Sequence, residues 1–113
     1  MLLRRHLVAL SASLLAGSVC ADTFPSKPIT LQVPFAPGGT TDIVARTLAP
    51  KLAESFGQSF IVDNRGGAGG IIGTEHVAKS PPDGHALLMG TIGGIAVAMS
   101  LSPNRCYDAL RDF

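Results

Sequence analysis

The sequence is poor in aromatic and charged residues, and these shortages exclude several kinds of partner. It has no Trp and a single Tyr, so a platform for stacking nucleic-acid bases is not expected. Only nine Lys and Arg residues are present and they form no cluster, which excludes a nucleic-acid partner held by a basic face. Because 46% of the residues are hydrophobic and the net charge is only +1, the chain is also not expected to be disordered.

Cysteine is almost as scarce. Cys20 and Cys106 are the only two, so neither a disulfide framework nor a zinc cluster can be built from them. We expect Cys106 to be a partly buried small side chain. His76 is expected on an exposed helix face and His85 just before a strand, so neither is predicted as a ligand, and no metal or cofactor is predicted.

Residues 1–21 have the order of a secretory signal peptide: a basic start, an apolar run and a small residue, Ala21, at the end. The apolar run is only about half of the roughly 20 residues that a membrane-spanning helix needs. Cleavage is therefore predicted after Ala21. The alternative, a lipoprotein signal acylated at Cys20, is disfavoured because Val19 stands where a small residue is wanted.

The remaining chain, residues 22–113, alternates strand and helix patterns. Short β-branched or apolar runs predict three strands, and apolar residues at helical spacing predict the helices between them. Pro50 lies inside the first helix and is expected to kink or split it. The predicted strands are residues 29–33, 60–63 and 86–89, and the predicted helices are residues 41–56, 71–79 and 95–101.

This alternation predicts an α/β fold with a parallel sheet covered on both faces. Ligands of such sheets bind outside the carboxyl ends of the strands. The three loops at that edge, residues 34–40, 65–70 and 90–94, are all rich in glycine. Glycine lets the backbone approach a ligand, and the helix that follows supplies unpaired N–H groups. Such loops can hold a carboxylate or a phosphate without any Arg or Lys.

Individual residues of the first loop and helix leave alternatives open. Thr40 or Thr41 can cap the helix or donate a hydroxyl to a ligand. Asp42 either has a structural place in the first helical turn or contacts a ligand hydroxyl or ammonium group. The dinucleotide fingerprint fails because Ile72 occupies its third glycine position, and the triphosphate-binding loop fails because no Gly-Lys pair is present.

Several motifs occur in a fixed order along the chain, and together they are more specific than any single glycine-rich stretch. Together they closely resemble the substrate-binding receptors of tripartite tricarboxylate transporters, also called the Bug family, over residues 24–113. The motifs are residues 25–31, 33–39, 41–46, 64–65, 67–70, 78–84, 87–91, 107–108 and 111–113.

The resemblance implies a periplasmic solute-binding protein of the Venus-flytrap type, which is not an enzyme. Such receptors capture small carboxylated organic anions between two α/β domains and pass them to a membrane permease, or signal through a sensor kinase. The resemblance implies that the loops after the first and third strands grip the carboxylate, largely through backbone groups and water. With Asp42 added from the residue analysis, the predicted ligand-binding residues are Phe35, Ala36, Gly38, Gly39, Thr40, Asp42, Thr91, Ile92 and Gly93.

Members of this family have two domains and about 300 residues, so residues 22–113 are expected to form an incomplete first lobe with exposed sheet edges and marginal stability. Two alternatives remain open. One is a truncated product of the same family that binds nothing. The other is an exported α/β enzyme that uses Asp42 or His85 as an acid or base.

Overall fold

The computed structural model describes residues 23–101 and 106–113, which are built around a three-stranded parallel sheet. The strands are β1 (Ile29–Val33), β2 (Phe60–Asn64) and β3 (Ala86–Leu88), and their order in the sheet is β2-β1-β3. Ile, Val, Thr and Phe dominate β1 and β2, and these side chains suit a pleated, buried surface. The predicted α/β class with a parallel sheet is confirmed.

Helices connect the strands as the sequence predicts, with small differences at their ends. Helix α1 (Thr40–Phe56) follows β1, and helix α2 (Ile71–Ala78) follows β2 after a 3₁₀ turn at Ala68–Gly70. The third helix begins earlier than predicted, because a π-helical turn at Gly93–Val97 precedes helix α3 (Ala98–Leu101).

Helix α1 runs without interruption through Pro50, so of the two predicted effects, a kink or a split, the split is wrong. Proline lacks the N–H that would bond to the carbonyl of Arg46, but it removes only that one bond. Pro50 and Arg46 are both exposed, so the carbonyl at this position can be hydrated. Gly57 ends the helix in the left-handed conformation, and its N–H donates to the Ala53 carbonyl.

The first crossover connects β1 to β2, and the second runs back from β2 past β1 to β3, so the two run in opposite directions across the sheet. Right-handed crossovers therefore put α1 and α2 on opposite faces of the sheet. On the α1 face, Leu31 and Val33 pack against Ala45 to form the apolar core. On the α2 face the buried side chains include the polar Gln32 and Thr74.

The outer edges of β2 and β3 carry no further strand within residues 23–101 and 106–113. Exposed apolar side chains such as Ile61 and Leu87 lie on these strands. The expected unpaired edges are thus present in the described part of the chain, and marginal stability stays a prediction.

No helix within residues 23–101 and 106–113 is both long enough and apolar enough to cross a bilayer. The predicted signal peptide, residues 1–21, lies outside the described residues.

We predict that Gly73→Ala destabilises the fold by about 1–3 kcal/mol, because helix α2 packs directly on backbone there. A Cβ at Gly73 would lie 2.6 Å from the Arg65 carbonyl oxygen and 2.7 Å from the Pro34 Cα. Urea unfolding followed by circular dichroism measures the loss. The matched control is Gly93→Ala, where a Cβ would meet nothing closer than 3.5 Å. Equal stability of the two variants would contradict the prediction.

Candidate anion-binding crevice at the carboxyl edge of the sheet

The crevice lies where the chain changes direction across the sheet, beside the carboxyl ends of β1 and β3. Gln32 pairs with Leu88 in the parallel register, and the Met89 N–H donates to the Gln32 carbonyl at 2.8 Å. Residues 34–39 and 89–92 therefore leave the sheet from neighbouring positions. In doubly wound sheets this switch point is where ligands bind. It brings together the two loops that, with the first residue of the helical segment after each (Thr40 and Gly93), hold all the predicted ligand residues except Asp42.

The first wall of the crevice is the N-terminus of α1. Gly39 is the N-cap and makes no side-chain capping bond, so the alternative of a Thr40 or Thr41 cap is wrong. The Ile43 N–H makes the first helical bond, to the Gly39 carbonyl at 3.0 Å. Amide N–H groups in the turn before it have no partner within the helix and lie at the positive end of the helix dipole.

Gly38 shapes the approach to this helix. Its φ is +88°, a conformation that L side chains rarely adopt, and a Cβ there would meet nothing within 4 Å. The glycine is thus needed for the turn itself. Ala36, Gly39 and Thr40 are exposed, and Phe35 is half-buried. An incoming ligand can therefore reach the loop backbone and the Thr40 hydroxyl.

The second wall is the loop after β3. Ile92 is 77% exposed and is the largest exposed side chain of this wall. The Thr91 hydroxyl oxygen is buried and has no hydrogen-bond partner within residues 23–101 and 106–113. The Ile95 N–H bonds to the Thr91 carbonyl at 3.0 Å, which leaves the amides of residues 92–94 in the first helical turn. A second helix N-terminus thus begins at the end of this loop.

Asp42 lies behind the first wall and is only 3% exposed. Its carboxylate accepts hydrogen bonds from Arg46 Nε at 3.0 Å, from the Gly38 N–H at 2.9 Å and from Asn64 Nδ2 at 3.0 Å. The Asn64 amide also donates to the Phe35 carbonyl and accepts from Arg46 Nη2. Asp42 therefore holds the ligand loop through Gly38 and has no free oxygen turned to the crevice.

These hydrogen bonds keep Asp42 ionised. The bond from Arg46, then those from the Gly38 N–H and Asn64, hold the pKa of Asp42 at about 2, below its ordinary value of 3.8. Since Arg46 compensates the charge locally, the carboxylate can stand near an anion site with reduced repulsion.

The lowered pKa predicts acid-dependent stability. A carboxyl group whose pKa falls on folding contributes fully above its unfolded pKa, here about 3.8, and loses that contribution as the pH falls toward 2. We expect Asp42→Asn to be less stable at pH 7 and to lose less stability than the wild type between pH 4 and 2. Urea unfolding at a series of pH values measures this.

The control for that experiment is Asp83→Asn. The His85 backbone N–H and Lys27 hold the pKa of Asp83 at about 2 as well, but this carboxylate lies at the opposite end of the sheet. Each single variant should remove a separate part of the stability that the wild type loses between pH 4 and 2. An unchanged acid profile in Asp42→Asn would contradict the assignment of Asp42.

The remaining glycine-rich loop, residues 65–70, supports the first wall from behind. A Cβ at Gly66 would lie 3.2 Å from the Ala36 backbone nitrogen, and one at Gly70 would lie 3.3 Å from the Phe35 ring. The two loops therefore pack closely against each other at Gly66 and Gly70. The glycines here serve close packing.

Residues at the amino end of the sheet are separate from the crevice. His85 immediately precedes β3, and its N–H donates to Asp83 Oδ1 at 3.0 Å. His85 and Asp42 therefore lie at opposite ends of the sheet. A cavity of about 310 Å³ adjoins His85, but it is also lined by the Lys27–Asp83 ion pair and presents no helix N-terminus.

His76 is exposed on α2, as predicted. Cys106 is exposed too, so the expectation that it is partly buried is wrong. Its neighbour Tyr107 is buried instead. Within residues 23–101 and 106–113, no group of His, Cys, Asp and Glu is arranged to hold a metal ion.

Sequence reasoning missed three residues that shape the crevice: Arg46, Asn64 and Tyr107. Arg46 follows Asp42 by four residues on one helix, a spacing that favours an ion pair and could have revealed it. Asn64 donates a hydrogen bond to Asp42, and Tyr107 donates one to the carbonyl of Gly94; both partners are more than ten residues away in the chain. No local pattern predicts such contacts.

Residues 44–113 match the family described as "Tripartite tricarboxylate transporter family receptor". The chain belongs to this family. The sequence is similar to Protein BugT of Bordetella pertussis, at 50% identity over 99 residues, which are 87% of this chain and 30% of that protein. The chain thus spans about a third of the length of the curated relatives that it matches.

Several solved structures share the fold. MatC from Rhodopseudomonas palustris with bound malate matches 80% of this chain and 31% of its own, with a TM-score of 0.75 and 41% identity. An R. palustris protein with adipate has a TM-score of 0.71 and 44% identity over 77% of this chain and 29% of its own. The periplasmic binding protein BugD has a TM-score of 0.72 and 41% identity over 80% of this chain and 30% of its own. The expected periplasmic-binding-protein fold, present in part, is confirmed.

Proposed function

We propose that residues 22–113 form part of the first lobe of a periplasmic receptor that captures small carboxylated organic anions. The observation that carries this proposal is the pair of helix N-termini, those of α1 and of the helical stretch after Ile92, beside one switch point of the sheet. Two sets of unpaired N–H groups at the positive ends of helices favour a carboxylate without a cationic side chain.

In this proposal the ligand carboxylate accepts hydrogen bonds from the N–H groups of Gly39 and Thr40 and from the Thr40 hydroxyl. Amides of Ile92 and Gly93 and the Thr91 hydroxyl complete the set from the other wall. Asp42 does not contact the ligand. It accepts a hydrogen bond from the Gly38 N–H and so holds the ligand-binding loop in position. Phe35, Ala36 and Ile92 provide the apolar surface for the ligand's carbon skeleton.

Periplasmic location, a cleaved signal peptide at residues 1–21 and delivery to the permease of a tripartite transporter, or to a sensor kinase, belong to the same proposal. Family membership supports them, as does the order of basic, apolar and small residues at the N-terminus. Malate in MatC and adipate in its relative support a dicarboxylate as ligand.

The first experiment expresses the whole chain in a Gram-negative host, purifies the exported product and determines its intact mass and its melting temperature with added ligand. We expect the mass of residues 22–113 and a rise in melting temperature with malate and adipate. A ligand present at a free concentration of 100 times its Kd stabilises the folded protein by about 2.7 kcal/mol. Because Ile92 is exposed at the crevice, adipate is expected to bind more tightly than the hydroxylated malate.

The diamide of adipic acid is the control ligand, since it keeps the carbon chain and lacks the charge. If the diamide raises the melting temperature as much as adipate does, the result would contradict an anion site. No rise with any carboxylate at any concentration would favour the alternative of a family member that binds nothing.

Thr40→Val tests whether the Thr40 hydroxyl binds the ligand. Valine keeps the shape of threonine and removes the hydroxyl, so we expect adipate affinity to fall about tenfold with little change in stability. Thr47→Val is the matched control, because Thr47 lies two turns further along α1 and its hydroxyl donates to the Ile43 carbonyl. Isothermal titration calorimetry measures both, and equal affinities of the two variants would remove Thr40 from the site.

A further inference from the structure

Tyr107 reaches the second wall of the crevice from a distant part of the chain. Its side chain is 6% exposed, and its hydroxyl donates to the backbone carbonyl of Gly94. The ring packs edge-on against Phe113, with centroids 6.1 Å apart and planes at 85°. The hydroxyl is therefore held at the helical stretch that begins directly after Ile92.

The carbonyl that Tyr107 contacts lies in the π-helical turn Gly93–Val97. There the Ala98 N–H donates to the Gly93 carbonyl, five residues back. In an α-helix the same N–H would bond to the Gly94 carbonyl, four residues back. The π register thus takes a donor away from Gly94, and the Tyr107 hydroxyl supplies one. A buried carbonyl without any donor would be costly, so the two bonds support each other.

Gly94 is also fixed from the opposite side. It is buried, and a Cβ there would lie 2.8 Å from the Thr74 hydroxyl oxygen. That hydroxyl donates to the Gly70 carbonyl at 2.8 Å. Gly94 is therefore clamped between α2 and Tyr107, immediately after the residues of the second wall.

We propose that Tyr107 is a positioning residue for ligand binding: by bonding to Gly94 it maintains the π-helical register and so sets where the N–H groups of residues 92 and 93 point. π-Turns occur often at functional sites, since one extra residue in a helical turn re-aims the residues beside it. This inference rests on the proposed function, because it assigns the register a role in holding the carboxylate.

Tyr107→Phe is the decisive variant. It keeps the ring and its packing on Phe113, and removes only the hydroxyl. Without that donor, the Gly94 carbonyl can regain the Ala98 N–H by relaxing to the α register. We therefore expect little loss of thermal stability and about a tenfold loss of adipate affinity.

Two measurements separate this role from a structural one. Cross-hydrogen-bond NMR couplings report whether Ala98 bonds to Gly93 or to Gly94, and calorimetry gives adipate affinity. The supporting result is a change of the Ala98 partner together with weaker binding. Phe113→Leu, which removes the aromatic contact and keeps the hydroxyl, is the control and should retain both the π register and the affinity.

The outcomes also distinguish this inference from the proposed function. If wild-type protein binds adipate and Tyr107→Phe binds it equally well, or keeps the Ala98–Gly93 bond, the inference is overturned while the proposed function stands. If wild-type protein binds neither adipate nor malate, the proposed function fails and the positioning role fails with it.

Discussion

Parallel pairing of β1 with a neighbour on each side is the constraint on which the crevice depends. Since β2 and β3 flank β1, the two crossovers run in opposite directions and their loops separate beside β1. The loops after β1 and β3 leave the sheet from neighbouring positions, whereas those after β1 and β2 pack against each other. In the second case glycine contacts bring loop backbones against each other. Topology therefore determines which glycine loops can bind and which can only pack.

Electrostatics at this edge depend on dipoles more than on charged side chains. The nearest carboxylate, Asp42, lies at the positive end of α1 and is compensated by Arg46 and by hydrogen bonds from two further groups. The same bonds that neutralise it also fix the loop ahead of the helix. A structural carboxylate and a carboxylate ligand can thus occupy opposite sides of one helix N-terminus without strong repulsion.

Local patterns predicted the strands, the two main helices and the edge of the sheet where a site would form. They did so because β-branched runs, helical spacing and glycine-rich loops are properties of neighbouring residues. The continuity of α1 through Pro50 was not predicted; Arg46 and Pro50 are both exposed, so the carbonyl that loses its donor can be hydrated. Asn64 and Tyr107 could not be predicted, because their partners lie 22 and 13 residues away in the chain. The π register was unpredictable for the same reason: it depends on a donor from outside the helix.

The donors proposed for the crevice are mostly peptide N–H groups, and this has a consequence for how such a protein changes. Every residue except proline carries the same N–H, so substitution within the loops leaves most donors in place wherever the backbone geometry allows the new residue. New ligand preferences are then reached more readily through residues that move a loop than through residues that touch the ligand. Mutagenesis libraries aimed at altered uptake should accordingly randomise the supporting positions behind the crevice as well as its lining.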